Sequence, residues 1–429
     1  MKSYINPPKS DWEALLKRPV FNIRDLRDQV ELILADISSN GIEAIRKYTE
    51  RFDGVTIREI AVSKGEIEEA SNLVDNALKE AIVVAAANIQ KFHESQQMVT
   101  RQIETVPGVT CWQKAVAINK VGLYIPGGSA PLFSTVLMLA IPARIAGCKE
   151  IVLCTPPDKE GKINPAILFA AQQVGVTKIF KLGGIQAIGA MAYGVDSVPK
   201  VNKIFGPGNQ YVMAAKQLVS INDVAIDMPA GPSEVAIMAD ATANPAFIAS
   251  DLLSQAEHGP DSQVVLVTND PTLIDKVSLE LNKQLNALSR KSIAEKALAN
   301  SQAIVLNSQD DMVELINDYA PEHLIIAMEN YNGIAEQITN AGSVFLGNYT
   351  PESAGDYASG TNHTLPTNGW AQSFSGVNLD SFMKKITFQE ITREGIMNLG
   401  PVIETMAQAE MLDAHKNAVT VRLKEIKGQ

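Results

Sequence analysis

Cysteine is scarce in this 429-residue chain: only Cys111, Cys148 and Cys154 occur, and no two of them form a CxxC pair. So sparse and odd a set excludes a disulfide framework and fits a reducing compartment. Long apolar runs are also missing. The richest, 81–87 and 136–141, fall well short of the roughly 20 residues that span a bilayer. No Lys/Arg cluster stands out and the net charge is -11, so the basic footprint of a nucleic-acid binder is absent and an anionic membrane would repel the chain. The opening residues, MKSYINPPKSDW, have neither an apolar core nor a small-residue cleavage site, and no secretory leader is read there. These absences predict a cytoplasmic protein that handles small molecules or protein partners.

What is present is ordinary globular composition, 46% apolar and 20% charged, in a chain too long for one compact core. Two or more domains are expected. The first stretch, to about Gln97, has apolar residues at helical spacing, notably from Glu66 onward. From Val116 short β-branched runs alternate with helical ones. The runs 121–125, 150–154, 178–182 and 203–205 form one series; 234–238, 263–267, 303–306, 323–327 and 343–346 form a second. Strands alternating with helices imply parallel sheets, here two. A loop-rich stretch from Gly347 to Gly376 leads to a mostly helical end, Glu404 to Lys427.

Three strands of the first series run into glycine-rich turns: Pro126-Gly-Gly-Ser-Ala-Pro131, Gly183-Gly-Ile-Gln186 and Gly206-Pro-Gly-Asn209. Such turns are where α/β sheets bind ligands, and helix N-termini there favour phosphate. None matches G-x-G-x-x-G or a P-loop, and one alone would be plain turn chemistry. Three on successive strands point to a nucleotide without saying which.

Histidine, with five copies, marks the remaining candidates. Gln255 and His258 stand three apart near a helix end stopped by Gly259-Pro260, so both side chains share one face. That pair suits a metal, although a helix-terminal His beside a solvated Gln explains it as well when taken alone. Glu322 and His323 stand side by side at the mouth of a strand and supply two candidate bases; an ordinary polar loop reads equally well. The segment Pro351–His363 is long, poor in secondary structure and rich in polar side chains, as functional loops are. In it Asp356 is a candidate hard ligand, and His363 a substrate contact or a structural hydrogen-bonder. On the last helix Glu410 and His415 are five apart, about 140° around an unbroken helix, so they share a face only if the helix breaks between them. Gln255, His258, Asp356 and His415 together make an N/O donor set without thiolate, suited to zinc or manganese. Cys148 and Cys154 read as buried and inert. His93, outside every motif, reads as a surface residue.

In these motifs the chain resembles the histidinol dehydrogenases. The segments Tyr124–Pro131, Phe205–Asn209, Asp227–Glu234, Gln255–Asp261, Pro321–His323 and Glu352–Thr367 are similar to that family's signatures and follow its order, with residues 158–164 as a modest loop insertion. The resemblance covers nearly the whole chain. It implies a zinc- and NAD-dependent oxidation of L-histidinol to L-histidine through L-histidinaldehyde. It further implies zinc on Gln255, His258, Asp356 and His415, and NAD against Tyr124, Gln186 and Asn209. Ser233, His323 and Glu410 would join the metal ligands around the substrate, with Glu322 and His323 as the catalytic pair. The fold implied is α/β: an arm at 1–25, a first domain from 26–120 and 236–370, a Rossmann-like NAD-binding domain at 121–235, and a helical tail at 371–429. That tail would bring His415 and Glu410 to the partner's site in a homodimer. Two other classes stay open to the residues alone. A zinc hydrolase would leave the glycine turns idle, and a non-catalytic nucleotide-binding module would leave Glu322-His323 unexplained.

Overall fold

The computed structural model describes residues 1–19, 23–127 and 130–428; Gly128 and Ser129 of the first glycine turn, and part of the expected 1–25 arm, lie outside them. Two compact units emerge, one from residues 1–95 and 119–382, the other from 96–118 and 383–429.

The first unit holds both parallel sheets that the alternating pattern predicts. One has five strands in the order Lys178–Lys181, Glu150–Thr155, Lys120–Tyr124, Lys203–Phe205, Ala225–Ile226. The other has six, ordered Lys2–Ile5, Gln302–Val305, Gln263–Thr268, Glu234–Ala239, His323–Ala327, Ser343–Leu346. Strands such as Glu234–Ala239 and Gln263–Thr268 are buried along their whole length because helices cover both faces. Their near-continuous Val/Ile/Leu runs follow from that. The edge strand Lys2–Ile5, paired in parallel with Gln302–Val305, has no such run and lay outside the expected strands.

The helical stretch Ile23–Asp53 bends at Gly41 (φ 53°), a left-handed position that glycine takes without Cβ strain. Val30, Ile33, Leu34 and Ile37 on one side of the bend and Ile45 and Tyr48 on the other pack with Val152, Phe180, Ile188 and Val212 in the core of the five-stranded sheet. The expected helix through Glu66–Gln97 is two helices, Lys64–Leu73 and Asn76–Glu94, each with its own cap: a Ser63/Glu66 capping box and Asp75 on the Leu78 N–H.

His93 corrects one expectation. It is fully buried on the stripe Ile82, Ala85, Ile89, His93, with Nδ1 2.9 Å from the Ile89 carbonyl oxygen and Nε2 3.5 Å from the Asn362 amide nitrogen.

The second unit contains a three-stranded antiparallel sheet, Met383–Ile391, Val109–Ala117 and Gln102–Val106, and the helices Arg393–Ala409 and Asp413–Lys427. The two outer strands, Gln102–Val106 and Met383–Ile391, are exposed along most of their length, so they lack the apolar alternation that marks a half-buried strand.

Candidate active site

Glu322 and His323 stand where the chain enters the His323–Ala327 strand, at the amino end of the six-stranded sheet. Ala320 takes a left-handed turn (φ 48°), and Pro321 ends the preceding helix. Both site residues are then fastened to a single residue of the neighbouring strand, Glu234. Its N–H donates to Glu322 Oε2 at 2.9 Å, and its carbonyl oxygen lies 3.1 Å from His323 Nδ1. A carbonyl only accepts, so Nδ1 carries a hydrogen, and Nε2 holds the lone pair whenever the ring is neutral. Glu234 is itself clamped by Arg18, whose Nε and Nη2 reach its two carboxylate oxygens at 2.6 and 2.9 Å. Arg18 lies over the Tyr319 ring (4.1 Å) and donates to the Tyr319 carbonyl. An arginine of the N-terminal arm thus supports the candidate bases through one bidentate fork.

Around this pair negative charge accumulates. Asp356 Oδ1 lies 3.4 Å from His323 Nε2, an ion-pair distance without hydrogen-bond alignment, and Nε2 is buried without a hydrogen-bond partner. Glu352, 1% exposed, has an equally unpartnered Oε2. Burial pushes Glu322 and Glu352 up to about 8. Burial opposes protonation of His323, but Glu322, Glu352 and Asp356 outweigh it and push its pKa up to about 10. Asp356 is held below the usual carboxylate range, the histidines around it outweighing its burial. His258 keeps one side open to solvent, and the protein packed around its ring lowers its pKa against the pull of Asp356.

Ligand atoms of His258, Glu352 and Asp356 all lie within 4.8 Å of one another. Two buried carboxylates and a half-buried one facing the His323 imidazole, with unpartnered atoms among them, is a condition that a divalent cation relieves. Imidazole and carboxylate without thiolate suit zinc or manganese. Gln255, fully buried on the helix Pro245–Ala256, adjoins Glu352 and the Glu234 N–H. With its NH₂ toward Glu352 it donates to that carboxylate, and its oxygen accepts from the Glu234 N–H at 2.8 Å. The structure therefore gathers Gln255, His258, Glu322, His323 and Asp356, and adds Glu352. Reading Pro351–His363 as irregular hid that residue. Glu352–Tyr357 is a short helix, and the spacing of four between Glu352 and Asp356 was the available signal.

Ser233 lies half-buried one residue before Glu234. His363 has both ring nitrogens engaged, Nδ1 with the Asp356 carbonyl oxygen (2.8 Å) and Nε2 with Thr135 Oγ1 (3.0 Å), which favours its structural reading. Glu410 and His415 belong to the second unit and are exposed. The helix breaks between them, at Met411 (φ 58°), the alternative that the 140° argument required. Cys154 is fully buried and its thiol is pushed far up by burial; burial pushes Cys148 up to about 12.

At the carboxyl ends of the five-stranded sheet, the turns converge on a cavity of about 870 Å³ lined by Asp53, Tyr124, Gly127, Pro156, Gln186 and Asn209, among others. All three residues expected to meet a dinucleotide are there. Gly206 (φ 125°) packs so closely on the Tyr124 carbonyl that a Cβ would stand 2.1 Å from its oxygen. The Lys216–Asp227 ion pair holds this turn: Lys216 donates to the Gly206 carbonyl at 2.7 Å, and the Gly206 N–H donates to Asp227 at 2.9 Å. The Tyr124 hydroxyl accepts from the Gly184 N–H at 3.1 Å, and burial pushes its pKa up to about 12. Asn209 caps the helix Gln210–Asn222 through Oδ1, which leaves its amide nitrogen as the group to offer a ligand.

Comparison with known proteins identifies the family. The sequence model of the family described as histidinol dehydrogenase matches residues 16–423. A histidinol dehydrogenase of Bacteroides thetaiotaomicron is 62% identical over 427 residues, covering 100% of each chain. Another, from Pectobacterium atrosepticum, is 52% identical and covers 97% of this chain and 94% of its own. The crystal structure of histidinol dehydrogenase from Elizabethkingia anophelis superposes with a TM-score of 0.98 at 57% identity, over 100% of this chain and 99% of that one.

Proposed function

Because the chain belongs to the histidinol dehydrogenase family, and is thus a dehydrogenase, we propose that it oxidises L-histidinol to L-histidine through L-histidinaldehyde, reducing two NAD per turnover. This is the closing reaction of histidine biosynthesis, carried out in the cytoplasm. The observation that carries the reading is the fastening of Glu322 and His323 to one backbone unit, with the free Nε2 of His323 facing the His258–Glu352–Asp356 cluster.

His258 and Asp356, with Gln255, would hold zinc, and His415 would complete the set from a partner subunit. A metal bound there would supply positioning of the substrate through its nitrogen groups rather than activation of a water. The Gln255 amide is consistent with this role. Turned the other way, its oxygen faces Glu352, an arrangement that a shared cation would favour. The charge of a bound cation would offset the carboxylates that raise the His323 pKa, so that Nε2 of the neutral ring would take the alcohol proton, with the Nδ1–H bond to the Glu234 carbonyl fixing its aim. Glu322, raised into the neutral range by burial, then takes a proton from the water that hydrates the aldehyde. Burial of the pair limits stray water at the aldehyde stage. Ser233 and Glu410 complete the substrate contacts, and Tyr124, Gln186 and Asn209 hold NAD.

Exposed Phe388, Met406, Met411 and Leu412 on the second unit are consistent with a homodimer. If His415 acts across it, mixed dimers of His415→Ala and His323→Ala chains recover part of the activity lost in either parent. Verified mixed dimers without recovery would place His415 in its own chain's site. The reaction itself is tested by incubating zinc-loaded protein with L-histidinol and NAD and following nicotinamide reduction. Two NADH per histidinol are expected, and none would overturn the proposal.

A further inference from the structure

The cofactor cavity holds a polar pair of which the function just proposed uses only one member, Gln186. Gln186, fully buried in the first turn of the helix Gly184–Tyr193, donates through Nε2 to Asp53 Oδ2 at 2.8 Å. Asp53 ends the helical stretch Ile23–Asp53 and lines the same cavity, 133 residues away in sequence. An ionised carboxylate only accepts hydrogen bonds, so it draws the amide's NH₂ end and turns the oxygen away. That oxygen, Gln186 Oε1, is buried and has no partner among the described residues. It lies close against Gly184 (φ 54°), where a Cβ would stand 3.1 Å from it. A buried acceptor without a donor is costly, and because Gln186 lines the cavity, a bound ligand is a partner that could meet it.

We infer that Asp53 is a positioning residue of the cofactor cavity: it fixes the sense of the Gln186 amide so that the cavity offers an oxygen to an N–H or O–H donor of the dinucleotide. The inference rests on the NAD reading of this cavity. Burial pushes the Asp53 carboxyl up to about 6, which leaves it ionised at neutral pH. Three parts of a dinucleotide carry suitable donors: the nicotinamide carboxamide, the ribose hydroxyls and the adenine amine. Without Asp53 the amide is free to rotate and present its NH₂ to the same donor, with loss of one hydrogen bond and a like-to-like contact in its place.

The test is NAD binding by calorimetry on the full-length, metal-loaded protein. Asp53→Ala should weaken NAD by about three- to tenfold, the scale of one hydrogen bond, while KM for L-histidinol stays unchanged. Gln186→Glu alone should weaken NAD further, because two carboxylates then face each other. Adding Asp53→Asn to Gln186→Glu should restore most of the loss: the asparagine NH₂ donates to the new carboxylate, whose second oxygen still faces the ligand. A purely structural tie between helix and sheet predicts no such rescue. ADP-ribose as a second probe narrows the donor, since a loss shared with it assigns a ribose hydroxyl or the adenine amine and a loss confined to NAD assigns the carboxamide. NAD binding unchanged by Asp53→Ala, or a double variant no tighter than Gln186→Glu, would overturn the inference while leaving the NAD reading intact. Wild-type protein that binds no NAD would overturn both.

Discussion

Two buried charged groups in the first unit end in opposite states. Lys216 and Asp227, with side chains 1% and 2% exposed, form a closed pair at 2.5 Å. Further contacts hold both partners, Lys216 through the Gly206 carbonyl and Asp227 through the N–H groups of Gly206 and Met228. Around His323, by contrast, Glu322, Glu352 and Asp356 face one imidazole, with His323 Nε2 and Glu352 Oε2 left without hydrogen-bond partners. Balanced charge holds a glycine turn in shape. Unbalanced charge is poised to take a cation or move a proton, and pKa values displaced to about 8 and about 10 are its signature.

The contrast can be broken at either group. The largest effect is expected from His323→Ala, which should lower the oxidation of both L-histidinol and L-histidinaldehyde by roughly 10³-fold, the scale of a lost general base, with little change in melting temperature. Glu322→Ala should chiefly depress the aldehyde step; assays begun separately from alcohol and from aldehyde separate the two, and equal losses would argue against its assigned role. Lys216→Met should instead act on the fold, leaving Asp227 buried and unpaired at a cost of about 3–5 kcal/mol, read by urea denaturation. Adding Asp227→Asn should recover part of it. A cost well below this range would mean that the pair is not a clamp. The smallest effect belongs to Cys154→Ala. A thiol so deeply buried and raised has no thiolate to offer, so both oxidations should persist; loss of the second alone would replace the water route with a thiol one.

Much of this was legible in the sequence, for physical reasons. Alternating β-branched and helical runs identify parallel strands because buried strands must be apolar on both faces, and both sheets were readable that way. Glu322-His323 stood out because two bases side by side before a strand are conspicuous. What escaped depended on contacts between distant residues or on a short period read as disorder. Asp53 meets Gln186 only once a long helix is laid on the sheet. Arg18 supports the pair through Glu234, 216 residues away. Glu352 was hidden in a segment taken for loop, although its spacing from Asp356 is helical. His93 completes an apolar stripe with Ile82, Ala85 and Ile89, and that periodicity, rather than its distance from any motif, was the better guide to its burial. The antiparallel sheet of the second unit escaped because exposed strands need no alternation.

Metal analysis of the purified chain, with and without chelator, tests the central claim most directly, because the imbalance around His323 is what calls for a cation. Equimolar zinc or manganese is expected, with a melting temperature that falls on chelation and recovers when metal is restored. Glu352→Gln sharpens the measurement. Glu352 has its pKa pushed up to about 8, so its ionisation costs the metal-free fold stability as pH rises from the usual carboxylate range through 8. The variant should therefore melt higher than wild type when metal-free at pH 8 and yet retain less metal. A chain that binds no divalent cation, and after chelation still oxidises L-histidinol at its full rate, would contradict the account.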